Sequence, residues 1–264
     1  MTAEPEYVHG HHASVLRSHK SRTIANSAAY VAARLQPGMR VLDVGCGPGN
    51  LTAEIAGRVA PGEVIGIDAS DTIVAEAARD HGEAASFALG DVYALDYPDD
   101  GFDLVHAHQV LQHLDRPIEA LREMRRVTTP GGIVAARDAD YGAMTWAPAN
   151  EGMDRWMDLY QRMTADLDHD ANAGRHLLGW AQQAGFTDIT VSSSTWEFAD
   201  PDSRGWWSGV WADRVLQSSY GDIAVRDGLA TRPELDEIAA AWRDWATRPD
   251  GFFLCPHVEI VAVA

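Results

Sequence analysis

Gly45, Gly47 and Gly49 alternate with Cys46 and Pro48 in the stretch VLDVGCGPGN, residues 41–50. They stand directly behind an apolar run that carries Asp43. Glycines at such a turn remove Cβ and permit positive φ, so a ligand can lie on bare backbone while the next helix points its N-terminus at a negative group. The dinucleotide fingerprint G-x-G-x-x-G needs a third glycine three residues after the second. Here it comes two residues after, and Asn50 holds the fingerprint's position. The spacing argues against a pyrophosphate cradle. Two acids follow in order, Asp68 ending VIGID and Asp91 in LGDV, both at strand ends.

His106, His108 and His113 are spaced H-x-H-x4-H. On a strand, positions 106 and 108 share a face. No acid or cysteine completes a metal shell beside them, so they read as pocket lining, with no metal. Cys46 reads as a small side chain fitted to the loop rather than a reactive thiol. Tyr141, Trp146, Trp207 and Trp211 are candidates for the walls of a substrate pocket, which would suit an aromatic or otherwise hydrophobic molecule.

The elements that must position these residues alternate strand and helix. RVLDVG predicts a buried strand, and NLTAEIAGRV a helix with Asn50 as its N-cap. EVIGID is a second strand, followed by a helix that opens on Ser70 or Asp71 and closes on Gly82. ASFALGDV and FDLVHAHQ predict two more strands; RPIEALREMRRV is a helix, PGG a turn and IVAARDAD a fifth strand. Before them, residues 23–35 predict one alanine-rich helix. All 9 tryptophans lie from Trp146 onward, seven of them in helical segments around 150–168, 175–184, 203–218 and 233–247, with strands over 187–200 and at the C-terminal end. Strands separated by helices of this length predict βαβ units and a largely parallel sheet.

At this point VLDVGCGPG resembles motif I of class I S-adenosylmethionine-dependent methyltransferases. The order of motifs over residues 38 to about 137 is similar to the small-molecule branch of ubiquinone and menaquinone biosynthesis methyltransferases. The resemblance implies a Rossmann-like seven-stranded sheet, mostly parallel with an antiparallel last strand, helices on both faces, and helical insertions in the C-terminal half. It implies S-adenosyl-L-methionine as cofactor and S-adenosyl-L-homocysteine as product. Asp43 would face the methionine amino group, and Gly45, Cys46, Gly47 and Gly49 would let the ligand approach. Asp68 and Ala69 would take the ribose hydroxyls, and Gly90, Asp91 and Val92 the adenine. His106, Ala107 and His108 would border the methionine part. Segments like GHH…SVLRSH occur in microbial methyltransferases of small-molecule and secondary metabolism, which implies an N-terminal lid. His11 would then reach the cofactor, and His12 or His113 would serve as a general base where the acceptor must lose a proton.

The whole 264-residue chain reads as a single domain: 1–36 an N-terminal lid or helical region, 37–140 the cofactor core, 141–186 and 200–250 helical substrate-side insertions, 187–199 and 252–264 closing strands. A net charge of −18 disfavours nucleic acid and anionic membrane as partners and allows a homodimer. Two distant cysteines, no apolar run near 20 residues and a polar N-terminus predict a cytoplasmic protein acting on a small molecule. The alternatives are an NAD(P)-dependent oxidoreductase and a non-catalytic S-adenosylmethionine-binding protein.

Overall fold

Short runs of valine, isoleucine and leucine between glycine turns form the strands, and the segments with apolar residues three and four apart form the helices. In this computed structural model residues 13–264 are described. The helices α1 (Ala13–Lys20), α2 (Ile24–Ser27) and α3 (Ala29–Ala32) come first. Then follow β1 (Val41–Val44), α4 (Asn50–Val59), β2 (Val64–Asp68), α5 (Asp71–His81), β3 (Ser86–Leu89), β4 (Phe102–His108), α6 (Pro117–Val127) and β5 (Thr128–Ala139). The second half holds β6 (Thr145–Ala147), α7 (Glu151–Asp166), α8 (Leu177–Gln183), β7 (Ile189–Phe198), α9 (Pro201–Gln217), α10 (Ser219–Arg226), α11 (Arg232–Thr247) and β8 (Phe252–Val263). The described residues form two compact units, residues 19–139, 173–194 and 257–264 in one, residues 13–18, 140–172 and 195–256 in the other.

In the first unit β3, β2, β1, β4 and β5 pair in that order, all parallel. The end of β8 runs antiparallel to β5, from Ile133 opposite Val263 to Ala139 opposite His257, and β7 also pairs with β8. Alternate residues feed two cores. Leu42, Val44, Val105, Ala107 and Val134 pack beneath α6 and α8. Val41, Leu104 and Ala135 pack beneath α2, α3 and α4. Helices therefore cover both faces.

Three expectations need correction. The single helix over 23–35 is broken, because Thr23 and Asn26 form a capping box that starts α2 and Ala28, at φ −136°, interrupts the helical path. The N-cap of α4 is Gly49 at φ 85°, and Asn50 is its first helical residue. Among the described residues the strands number eight rather than seven. The extra one is β6, three residues paired antiparallel with the start of β8. In addition, β5 runs straight through the PGG expected as a turn; a register irregularity opposite Phe102–Leu104 absorbs it.

The second unit is built on aromatic burial. Trp156 lies 4.5 Å from Trp211 and 4.9 Å from Trp242, edge to face, and Tyr141 stacks on Tyr160 at 4.2 Å. The indole N–H groups of Trp156, Trp207 and Trp242 are buried without a hydrogen-bond partner. An unpaired N–H costs about 1–3 kcal/mol, whereas each ring buries roughly 150–250 Å2, worth about 4–6 kcal/mol. Packing wins at each of them.

Candidate active site

The site grows from the carboxyl ends of β1, β2, β3 and β4, where a parallel sheet opens to a ligand. Gly45, Gly47 and Gly49 stand at φ 65°, 55° and 85°, a region that costs any L side chain. The loop between β1 and α4 is pinned by Cys46 N–H to the Ile67 carbonyl (2.9 Å) and Gly49 N–H to the Cys46 carbonyl (3.2 Å). Gly47 N–H donates to Asp68 Oδ2 at 3.1 Å. Asp68 Oδ1 in turn accepts from Ser70 N–H at 3.1 Å, so one carboxylate ties the loop to the end of β2.

The three glycines differ in what their missing side chains spare. A Cβ on Gly49 would sit 2.8 Å from the Phe87 ring, and one on Gly45 2.4 Å from Val110 Cγ2. A Cβ on Gly47 would meet only His19 Nδ1, at 3.9 Å. Packing demands the outer two; at Gly47 only the left-handed backbone does. We expect Gly49→Ala to lower stability by roughly 1–3 kcal/mol in urea unfolding. Gly47→Ala should cost less stability and weaken ligand binding instead.

Asp43 (3 % exposed) lies at the heart of the site. Thr52 Oγ1 donates to its Oδ2 at 2.5 Å, and His106 Nδ1 stands 2.7 Å from its Oδ1. His108 shares that sheet face, as its spacing predicts, and stacks on His257 with ring centroids 6.4 Å apart. Burial pushes the His108 imidazole well below its ordinary pKa, and the charges of Arg22 and Arg137 push it the same way; the ring is neutral. Burial likewise raises the Cys46 thiol, reinforced by Asp43 and Asp68, so this sulfur is not a thiolate. Ala107 turns the other way into the core, leaving its backbone to the site.

Asp91 is exposed just beyond β3, where its Oδ1 accepts from Tyr93 N–H at 2.9 Å. Gly90 N–H donates to the Asp68 carbonyl at 3.0 Å, which brings Asp68, exposed Ala69, Gly90, Asp91 and Val92 onto two neighbouring strand ends. His113 lies in a short 3-10 turn (Leu111–His113) after β4, its Nε2 2.9 Å from the side-chain nitrogen of Gln112. Tyr141, Trp207 and Trp211 are buried in the aromatic core of the second unit, and Trp146 is half-buried and stacked on Phe253. His11 and His12 lie outside the described residues.

Sequence spacing missed a polar group drawn from distant positions. Gln109 adopts φ 55°; Arg22 donates to its amide oxygen and its Nε2 sits 2.9 Å from His257 Nε2. Arg137 pairs with Glu259 at 3.2 Å, supported by Ser194. A narrow cleft beside the glycine loop is lined by His19, Arg22, Asp43, Gly45, Asn50 and His108. It offers a carboxylate for a cation, a guanidinium for an anion and backbone at Gly45, and Asn50 opens α4, whose N-terminus has no side-chain cap. These residues fit a zwitterionic amino-acid end.

A parallel sheet with a left-handed glycine turn after β1 and acids after β2 and β3 defines the class I S-adenosylmethionine-dependent methyltransferases. A family model described as a methyltransferase domain matches residues 35–190, and the chain belongs to that family. It is 36% identical to an uncharacterized methyltransferase of Schizosaccharomyces pombe, across 97% of this chain and 95% of that one. A probable methyltransferase of Aspergillus luteorubrus is 28% identical across 97% and 96%. In fold the chain is similar to a Haemonchus contortus phosphoethanolamine N-methyltransferase solved with S-adenosylhomocysteine, with TM-score 0.55, 18% identity and coverage of 89% and 52%. This chain is thus an S-adenosyl-L-methionine-dependent methyltransferase, not a nicotinamide enzyme. None of its described helices is long and apolar enough to cross a membrane.

Proposed function

We propose that the enzyme methylates an O, N, S or C nucleophile of a small, hydrophobic or aromatic metabolite. The observation that carries the cofactor side of this reading is the left-handed glycine turn Gly45–Gly47–Gly49 after β1, beside a cleft lined by Gly45, Asp43 and Arg22. Asp43 takes the methionine ammonium, Arg22 its carboxylate, and Gly45, Cys46, Gly47 and Gly49 the chain between them. Asp68 and Ala69 hold the ribose; Gly90, Asp91 and Val92 hold the adenine. His106, Ala107 and His108 border the sulfonium end.

The bound cofactor supplies a methyl carbon already activated as an electrophile, so the protein's work is placement. Holding the two reactants in line is worth up to about 7–11 kcal/mol. His113, in the turn after β4, is the described candidate to take a proton from a phenol or thiol acceptor. The apolar acceptor follows from the aromatic content of residues 141–211: Trp146 is half-buried, whereas Tyr141, Trp207 and Trp211 lie inside an aromatic core.

Transfer of labelled methyl from S-adenosyl-L-methionine, screened across phenols, quinones, thiols and amines with transfer RNA and mixed peptides alongside, tests the acceptor class. Labelling of aromatic small molecules is expected. Labelling confined to macromolecules, or to strongly polar small molecules, overturns it.

A further inference from the structure

Asp43 is held from both sides before any ligand arrives. Thr52, on α4, donates to Oδ2 at 2.5 Å, and His106, on β4, meets Oδ1 at 2.7 Å. All three side chains are buried, His106 completely. A carboxylate only accepts hydrogen bonds, so His106 Nδ1 carries the proton that points at Oδ1. The ring's Nε2 is buried and has no protein partner.

A second unpaired group lies beside it. The ring of Tyr30, on α3, lies 6.4 Å from the His106 ring between centroids, and the Tyr30 hydroxyl is also buried without a partner. Burial raises the pKa of that hydroxyl well above its ordinary value, so it keeps its proton and remains a donor. Buried polar atoms left unpaired are costly, so two of them on adjacent rings mark a polar spot beside Asp43.

We propose that His106 is a positioning residue for the cofactor's amino-acid end. With Thr52 it locks the Asp43 carboxylate in one orientation, leaving one lone-pair direction on each oxygen for the ammonium. Tyr30, the ring beside the imidazole, helps hold it in place. The inference rests on the reading of Asp43 as the ammonium's partner. His106 itself touches neither reacting atom; it acts through Asp43.

The test compares two ligands by calorimetry: S-adenosylhomocysteine, and 5′-methylthioadenosine, which lacks both ammonium and carboxylate. His106→Leu is expected to weaken S-adenosylhomocysteine about tenfold and to leave 5′-methylthioadenosine within twofold of wild type. His106→Asn, whose amide N–H can still reach Asp43, should recover most of the loss. Thr52→Val, close in shape and lacking the other donor, should repeat the selective loss should His106→Leu fold poorly. Tyr30→Phe should cost about two- to threefold on S-adenosylhomocysteine alone. Equal losses of both ligands, or none of either, overturn the positioning role while the cofactor reading stands. A wild-type protein that binds neither ligand overturns both.

Discussion

Replacing Asp68 with alanine is expected to lower affinity for S-adenosyl-L-methionine by about a hundredfold or more in calorimetry. The carboxylate stands at the end of β2, where two acceptor oxygens can serve two vicinal hydroxyls at once. Each hydrogen bond to a charged group is worth about 1.5–3 kcal/mol, and two of them exceed the roughly 2.7 kcal/mol that a factor of one hundred requires. Asp68 also holds the glycine loop, through Gly47 N–H at 3.1 Å, so alanine removes a ligand contact and loosens the cradle together. Asp68→Asn separates the two effects. It keeps one acceptor for the loop and loses the second, and an intermediate loss of about tenfold is expected. Alanine binding within threefold of wild type would remove the ribose from this carboxylate.

What the sequence made legible follows from how local each signal is. The glycine turn was readable because left-handed backbone selects glycine at three alternate positions. The helix over 71–81 was readable because Ser70 and Gly82 mark its ends. His106 and His108 fell on one face, as strand periodicity requires. By contrast, β6 is only Thr-Trp-Ala and carries no period to detect. The break at Ala28 hides within an alanine-rich pattern that fits one helix equally well. The cleft's polar partners were beyond reach for another reason: Gln109 meets Arg22 across 87 positions and His257 across 148. Only the order of strands in the sheet brings them together. The same holds for Thr52 on Asp43, since a threonine inside a predicted helix gives no sign that it donates to a strand acid.

Asp138 is expected to make the enzyme less stable as pH rises from about 4 to 7, and Asp138→Asn to remove that slope. The residue lies at the end of β5, wholly buried. Its Oδ1 accepts from Gln112 N–H at 3.2 Å, and its Oδ2 has no partner. Burial pushes the carboxyl up to about 7, against the pull of the Gln112 and Leu111 N–H groups and the charges of Arg137 and Arg22. Between the unfolded value of 3.8 and about 7 the folded protein holds a proton that the unfolded chain has released. Stability therefore falls as pH rises through that window and levels off above it, by roughly 4 kcal/mol in all. Asparagine keeps the acceptor for Gln112 and carries no charge to bury. At pH 8 the variant should melt several degrees above wild type, at about 2–4 °C per kcal/mol for a chain of this size. Near pH 4 the gap should close. Parallel wild-type and variant stability curves across this range would show that the proton resides elsewhere. An acid that weakens the fold at neutral pH, in contact with the turn that carries His113, is one that stability alone does not account for. The variant's methyl-transfer rate at pH 8, set beside its gain in melting temperature, measures what that turn needs from the charge.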